Sequence, residues 1–488
     1  MPTENVDVVV IGSGYGGSIP AARLAEAGMS VVVLERGARL ATSDLRQSDA
    51  PAYIQSMTDV VVSTRNIAYR TGKLVGGASI PMDGAMFRIP QHSFEAAEAS
   101  GRRYWPSIFS RAFLEPYYER VETMFGVRQF AWNEIPKAGG LFAKMLDRAG
   151  ATCERARLNY RDCVHCGFCA QGCIFDKKNT LLHTYIPLAE SHGAQFRGGC
   201  EAQLIVPDAS PATGWTVRYT ENGEAKEIHG QRLFVAGGGL YTPALLLRSR
   251  AQLTRLNEHV GEHFNHNGEK QYSGILPPDF DDLEHYECFK GMDNAGMMTF
   301  HWYESHGFTL HPGGGMEPTL FAANIALPSD DVVPTRAWGM QYKRFVETVY
   351  PRRVIGFSSL GLADSHSAVT LKSDGKTPDV VDRDRTNYDA YLDRMEGVLA
   401  DVSQRTGVKI IPGYSRQYSG MTSAHLLSAC RMSEQAADGV VDPNCQVWGY
   451  ENLYICDASA VPYALGVNPA LNISALAEHC AERVVARG

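Results

Sequence analysis

Residues 6–17 read VDVVVIGSGYGG, an apolar run that breaks into glycines. Val6 to Ile11 is rich in β-branched residues, the pattern of a strand buried on both faces of a parallel sheet. Gly12, Gly14 and Gly17 then fit G-x-G-x-x-G, with Tyr15 and Gly16 between the last two. Residues 19–28, IPAARLAEAG, have helical composition and end at Gly28; residues 29–37, MSVVVLERG, read as a second strand carrying Glu35. Each piece has a physical role in holding a dinucleotide. The first glycine permits the tight turn, the second lets the backbone approach a pyrophosphate, and the third lets helix and strand pack closely. The helix N-terminus offers free N–H groups and a positive dipole end. Glu35, 18 residues beyond Gly17, stands where an acid takes the ribose hydroxyls. An acid there repels a 2′-phosphate, which argues against NADP. The fingerprint alone does not separate NAD from FAD.

The chain has 488 residues, too many for one ordinary domain of about 100–200 residues, so two or three units are expected. Its 44% hydrophobic and 20% charged residues are those of a soluble globular protein. A net charge of −8 and a pI near 6.0 argue against a nucleic-acid partner. The N-terminus lacks a basic region, an apolar core and a cleavage site, and the run from Val6 is too short to span a bilayer. The expectation is a cytoplasmic chain without membrane insertion, whose 11 cysteines are thiols or ligands rather than disulfides.

Three further stretches extend the pattern: GKLVGGASIPMDG (72–84), GGGLYTPALLLRS (237–249) after the strand RLFVA (232–236), and ENLYICDASAVPYALGVNPALNISALAEHCAERV (451–484). Together with the fingerprint these resemble the glucose–methanol–choline (GMC) oxidoreductase family of FAD enzymes, in particular its bacterial cholesterol oxidase-like branch. Members of that branch also carry a cysteine-rich run followed by a Lys-Asn-Thr type sequence, here Lys178-Asn179-Thr180. The resemblance implies an α/β fold. A discontinuous Rossmann-type FAD domain would comprise residues 1–90, 195–265 and 416–488. An α+β substrate domain on an antiparallel sheet would comprise 91–194 and 266–415, the cysteine run included. FAD would be held by Gly12, Gly14, Tyr15, Gly16, Gly17 and Glu35, by Gly72, Val75, Gly76 and Ser79, by Val206 and Gly237, and by Asp457, Ala458, Asn468 and Pro469.

Family members oxidise an alcohol by hydride transfer to the flavin while a histidine takes the hydroxyl proton. The matching segment, GMTSAHLLSACRM (420–432), makes His425 the base, and Gly466-Val467-Asn468-Pro469 supplies Asn468 as its partner. A neutral imidazole is well tuned to accept a proton near neutral pH, and an amide holds an oxygen without competing for the proton. The chain departs from the family pattern at Leu426 and Ser428, where small glycine-like residues are usual, and at Met82 or Asp83, where many members have Asn-Gly near the flavin N5. His266 reads as a structural or cofactor-shell residue, and His479 as a packed or surface residue. Glu317 is the nearest third acid by order along the chain, though a turn glutamate is the plainer reading. His301, His306 and His311 lack i, i+4 spacing and read as loop histidines rather than a metal site.

Residues 163–173 read CVHCGFCAQGC. The spacing of Cys163, Cys166, Cys169 and Cys173 is that of an iron–sulfur ligand run in bacterial ferredoxins. A cluster, with Cys153 or Cys200 as a further ligand, stands nearly level with packed thiols, and zinc is the weakest of the three. A cluster would carry electrons to a quinone or a redox protein; without one, reduced flavin could react directly with dioxygen. The leading expectation is an FAD-dependent alcohol oxidoreductase. A flavin/iron–sulfur electron-transfer protein, a sterol oxidase using dioxygen and an NAD-dependent dehydrogenase are the alternatives.

Overall fold

The computed structural model describes residues 4–48, 50–208, 214–292, 294–313, 339–364, 366–412 and 422–487. The opening strand β1 (Glu4–Ile11) lies at the centre of a seven-stranded sheet, with Val8, Val9 and Val10 fully buried. It is followed by helix α1 (Tyr15–Glu26) and strand β2 (Val31–Leu34). The helix starts at Tyr15, inside the glycine motif and earlier than composition suggests, because Gly14 in extended conformation acts as its N-cap. The sheet is completed by β3 (Gln195–Arg197), β4 (Cys200–Pro207), β5 (Trp215–Glu221), β6 (Glu224–Val235) and, after helix α2 (Gly238–Arg248), a short strand far along the chain. Its order is β3-β2-β1-β6-β5-β4. Pairing is parallel from β3 through β6, and β6-β5-β4 is an antiparallel ribbon. Ile11 is in register with both Leu34 and Val235, so three parallel strands end level. That level edge is where an open α/β sheet binds its ligand.

A second, four-stranded sheet is wholly antiparallel: β8 (Phe308–Gly313), β9 (Val354–Gly361), β7 (Lys270–Ile275) and β10 (Lys409–Pro412), in that order across the sheet. Side chains alternate between its faces. Tyr272 and Phe357 are cross-strand partners that belong to a hydrophobic cluster with Tyr388, Tyr391 and Leu392 of helix α3 (Thr386–Thr406). The neighbouring row, His311–Ser358–Gln271, lines the cavity described below. The strand late in the chain, β11 (Leu453–Tyr454), pairs parallel with β6 and leads into the closing helix α4 (Ala470–Val485).

Glu478 of α4 is fully buried and ties the layers together. It accepts from Arg23 of α1 (2.7 and 2.9 Å), from Arg120 (3.2 Å) and from the Tyr185 hydroxyl (2.6 Å). Glu478→Ala leaves Arg23 facing an emptied buried site. A loss of about 3 kcal/mol in urea unfolding is expected, the lower end of the range because Arg23 keeps some contact with water. No helix among the described residues is long and apolar enough to cross a membrane.

Candidate active site

A cavity of about 510 Å³ runs from the level ends of the parallel strands to the polar row of the antiparallel sheet. At one end it is a cradle of backbone. Gly12 has φ +95°, and a Cβ there would strike the Ala236 carbonyl; a Cβ on Gly17 would strike the Gly12 carbonyl, and one on Gly16 would come within 2.6 Å of Asp457 Cα. Gly14 differs: a Cβ there meets no protein atom within 4 Å, so the space beside the N-terminus of α1 is open. This suits a pyrophosphate against the helix end. Gly14→Val is therefore expected to abolish dinucleotide binding while leaving the melting temperature of the apoprotein within a few degrees. A paired FAD titration and thermal melt checks it.

Glu35 lines this cradle and is buried. Its carboxylate accepts from the Ser13 hydroxyl (2.8 Å), the Ser13 N–H (3.1 Å) and the Gly37 N–H (2.8 Å). Burial pushes its pKa up against those bonds. Asp457, also buried, accepts from the Gly238 N–H (2.7 Å) and the Thr242 hydroxyl (2.6 Å), capping α2, and from Ser459. Gly12, Gly14, Tyr15, Gly16, Gly72, Gly237, Ala458, Asn468 and Pro469 reach the wall. Gly17, Val75, Gly76 and Ser79 stand behind it: Gly76 N–H bonds the Ser13 hydroxyl, the Ser79 hydroxyl bonds the Gly76 carbonyl, and Gly77 and Ala78 face the cavity instead. Val206 does not line it. It pairs with Thr216 farther along β4, and Cys200, Glu201 and Ala202 at the start of that strand form the wall.

At the other end three residues distant in sequence meet. His425 Nδ1 stands 3.0 Å from Glu269 Oε2, and its Nε2 is 3.5 Å from the Asn468 amide nitrogen. Glu269 accepts from the Ser423 hydroxyl (2.8 Å), the Ala424 N–H (3.2 Å) and the Gln271 amide (3.0 Å). Burial opposes its charge, yet His425 and these donors prevail and hold its pKa down at about 2. Burial alone would lower the His425 pKa, but the facing Glu269 carboxylate overrides it and the net shift is upward. The loop carrying Asn468 is gripped by Asn267. That side chain accepts from the Leu465 and Gly466 N–H groups (2.8 and 2.9 Å) and donates to the Val467 carbonyl (2.8 Å). Nothing in the sequence singles out Glu269 or Asn267, which follow the segment read around His266. His266 itself is packed on Tyr388, away from the cavity, with burial lowering its pKa to about 4.

His311 is not a loop histidine. It lies on β8 with its ring in the cavity wall, Nδ1 3.4 Å from the Asn294 amide. Its Nε2 and the Asn468 Oδ1 are buried without hydrogen bonds among the described residues, as expected of a site that completes its bonding with a bound molecule. Leu426 lines the cavity, and Ser428 adopts φ +72°, a conformation that favours the glycine-like residue usual there. His479 is packed among Phe109, Phe113 and Tyr117. Glu317 lies outside the described residues.

Among the described residues no group of three or more His, Cys, Asp or Glu side chains converges to hold an ion. Cys163 Sγ accepts the His165 N–H (3.4 Å), Cys173 Sγ accepts the Lys177 N–H (3.3 Å), and Cys169 is buried in the main core. The run follows a coiled loop with positive φ at His165, Gly167 and Gly172.

Fold and site together define a dinucleotide-binding oxidoreductase with a histidine in its cavity. The GMC oxidoreductase profile matches residues 6–267 and its C-terminal counterpart matches 364–477, so the chain belongs to the GMC oxidoreductase family, whose members are flavoproteins. A long-chain-alcohol oxidase of Arabidopsis thaliana is 24% identical over 98% of this chain and 67% of its own length. A cholesterol oxidase of Mycobacterium tuberculosis is 25% identical over 97% and 90%. A 2-methyl-1,2-propanediol dehydrogenase of Mycolicibacterium austroafricanum is 24% identical over 99% and 96%. The crystal structure of a pyridoxine 4-oxidase superposes with a TM-score of 0.65 at 16% identity, covering 98% of both chains. The fold is therefore shared while most side chains are not.

Proposed function

We propose that this protein oxidises an alcohol CH–OH group to a carbonyl with FAD bound in the cavity. The observation that carries the reading is His425, held between Glu269 and Asn468 in the wall of the dinucleotide cavity. Glu269 fixes the proton on Nδ1 and leaves the Nε2 lone pair free to take the hydroxyl proton. Asn468 donates to the substrate oxygen and orients the carbinol carbon. FAD, which Gly12, Gly14, Glu35 and Asp457 would hold, would supply the two-electron hydride acceptor for this oxidation. The N-terminus of α4 opens on the cavity at Asn468, Pro469 and Ala470, and its positive end favours negative charge there. Across the cavity, the row His311, Ser358 and Gln271 suits an alcohol bearing further polar groups better than a bare alkyl chain.

The test is an absorption spectrum and an iron assay on protein purified without air, followed by an alcohol panel that includes polyols and 1-octanol. Flavin bands that bleach with an alcohol, without stoichiometric iron, are expected. A colourless protein would return the site to NAD. A flavin that no alcohol reduces would favour electron transfer. Stoichiometric iron would restore the cluster and point to a quinone or redox-protein acceptor, whereas oxygen consumption during turnover would identify dioxygen.

A further inference from the structure

A second cavity, of about 290 Å³, shares no lining residue with the first. Arg88, Arg111, Arg155 and Arg157 stand in its wall with a single carboxylate, the exposed Glu154. Two further carboxylates, outside the wall, pair with the arginines. Glu122 accepts from Arg88 (2.6 and 2.7 Å) and Arg157 (2.8 Å), and Glu115 accepts from Arg111 (3.0 Å) and Arg88. Arg155 meets only neutral partners among the described residues: the Phe130 carbonyl (2.7 Å), the Gln129 side chain (3.1 Å) and the Trp132 ring. Four guanidiniums are thus set against three carboxylates, which leaves one positive charge in excess. Donors are left over as well. Arg157 Nε is buried without a hydrogen bond, and no acceptor among the described residues takes Arg155 Nε or Arg111 Nη2. A buried donor without a partner is costly, so a scaffold of ion pairs alone does not account for this wall.

Arg155 and Arg157 lie two residues apart on the short strands Glu154–Arg155 and Arg157–Leu158, a spacing that turns both side chains to one face. Guanidinium forks so placed match a carboxylate or a phosphate. The rest of the wall decides between anions. Phe87, 4% exposed, and Phe300 meet edge to face with ring centroids 6.2 Å apart. A cavity of about 150 Å³ already takes benzene, so this one has room for an apolar body beside the charged group. We propose that it binds a small organic acid, with the carboxylate on Arg155 and Arg157 and the apolar body against Phe87 and Phe300. Because the two cavities share no wall, the occupant is neither the cofactor nor the alcohol, and the inference stands apart from the redox reading.

The test is calorimetric titration of the purified protein with benzoate, benzamide and inorganic phosphate. Saturable benzoate binding is expected. Benzamide has the shape without the charge and phosphate the charge without the ring, and each should bind about tenfold more weakly or worse. Arg155→Gln and Arg157→Gln should each weaken benzoate about tenfold through the loss of a charge-assisted hydrogen bond. Arg155 makes no ion pair among the described residues, so Arg155→Gln decides the matter if Arg157→Gln does not fold. Glu154→Gln, which removes the carboxylate in the wall, should tighten binding. Wild-type protein that takes up no benzoate overturns the proposal, and so does binding that survives Arg155→Gln, which would place the acid elsewhere. Equal affinity for benzamide would overturn the role of the arginines, and equal affinity for phosphate that of the phenylalanines. Unchanged or weaker binding in Glu154→Gln would overturn the charge argument.

Discussion

His425→Ala should bind FAD as the wild type does and reduce it about 10²–10⁴-fold more slowly with the same alcohol. The two halves of this expectation come from different parts of the cavity. The cradle at Gly12–Gly16, Glu35 and Asp457 is built on the ends of the parallel strands, and His425 contributes nothing to it. Its contacts are Glu269 and Asn468, at the far end. Removing the imidazole removes the acceptor for the hydroxyl proton, so the C–H bond must break without developing alkoxide character. The loss corresponds to about 3–5 kcal/mol in the barrier. Anaerobic stopped-flow bleaching of the flavin measures it directly. Reduction at the wild-type rate would mean that another group is the base, and His311, in the same wall, would be the next to replace.

Glu269→Gln should both slow the reaction and move its pH dependence, and the direction of the move is fixed by the charges. His425 must be neutral to accept a proton, so the rate rises as pH climbs through its pKa. Burial pulls that pKa down and the Glu269 carboxylate pulls it up further, placing the wild-type limb above that of a free imidazole. In the glutamine variant that carboxylate is gone and only the weaker pull of Asp83 still opposes burial, so the limb moves to lower pH. The plateau falls as well. An amide N–H facing Nδ1 favours the tautomer with its proton on Nε2, which cannot accept from the substrate. A fall of about 10²–10⁴-fold is expected, as when the orienting carboxylate of other histidine bases becomes an amide. A limb that stays in place would show that Glu269 is a fold residue only. FAD affinity should be unchanged in either case, since Glu269 is at the opposite end from the cradle.

The glycine turn that lines one end of the cavity was legible because its residues are contiguous. Gly12, Gly14, Gly17 and Glu35 fall within one strand–turn–helix–strand unit, where turn geometry and the strand and helix periodicities are written along the chain. His425 and Asn468 were legible only through their resemblance to family segments. The cysteine run shows the limit of spacing as a guide: ligand spacing states which sulfurs could converge, while the fold of the loop decides whether they do. Here the backbone N–H groups of His165 and Lys177 take two of the sulfurs as acceptors, and Cys169 is drawn into the core.

The sequence by itself determined the strand–turn–helix–strand start with its glycine turn, and it singled out the residues proposed for the dinucleotide site and the base. Only the tertiary structure decided what surrounds that base. Glu269 and His425 are brought together from positions 156 apart, His311 and Gln271 are aligned through Ser358 by strand register, and Lys178 is closed in by carbonyls from two loops. The physical reason is common to all three. Register between strands and the burial of a charge depend on which distant surfaces pack, and no local periodicity records that choice.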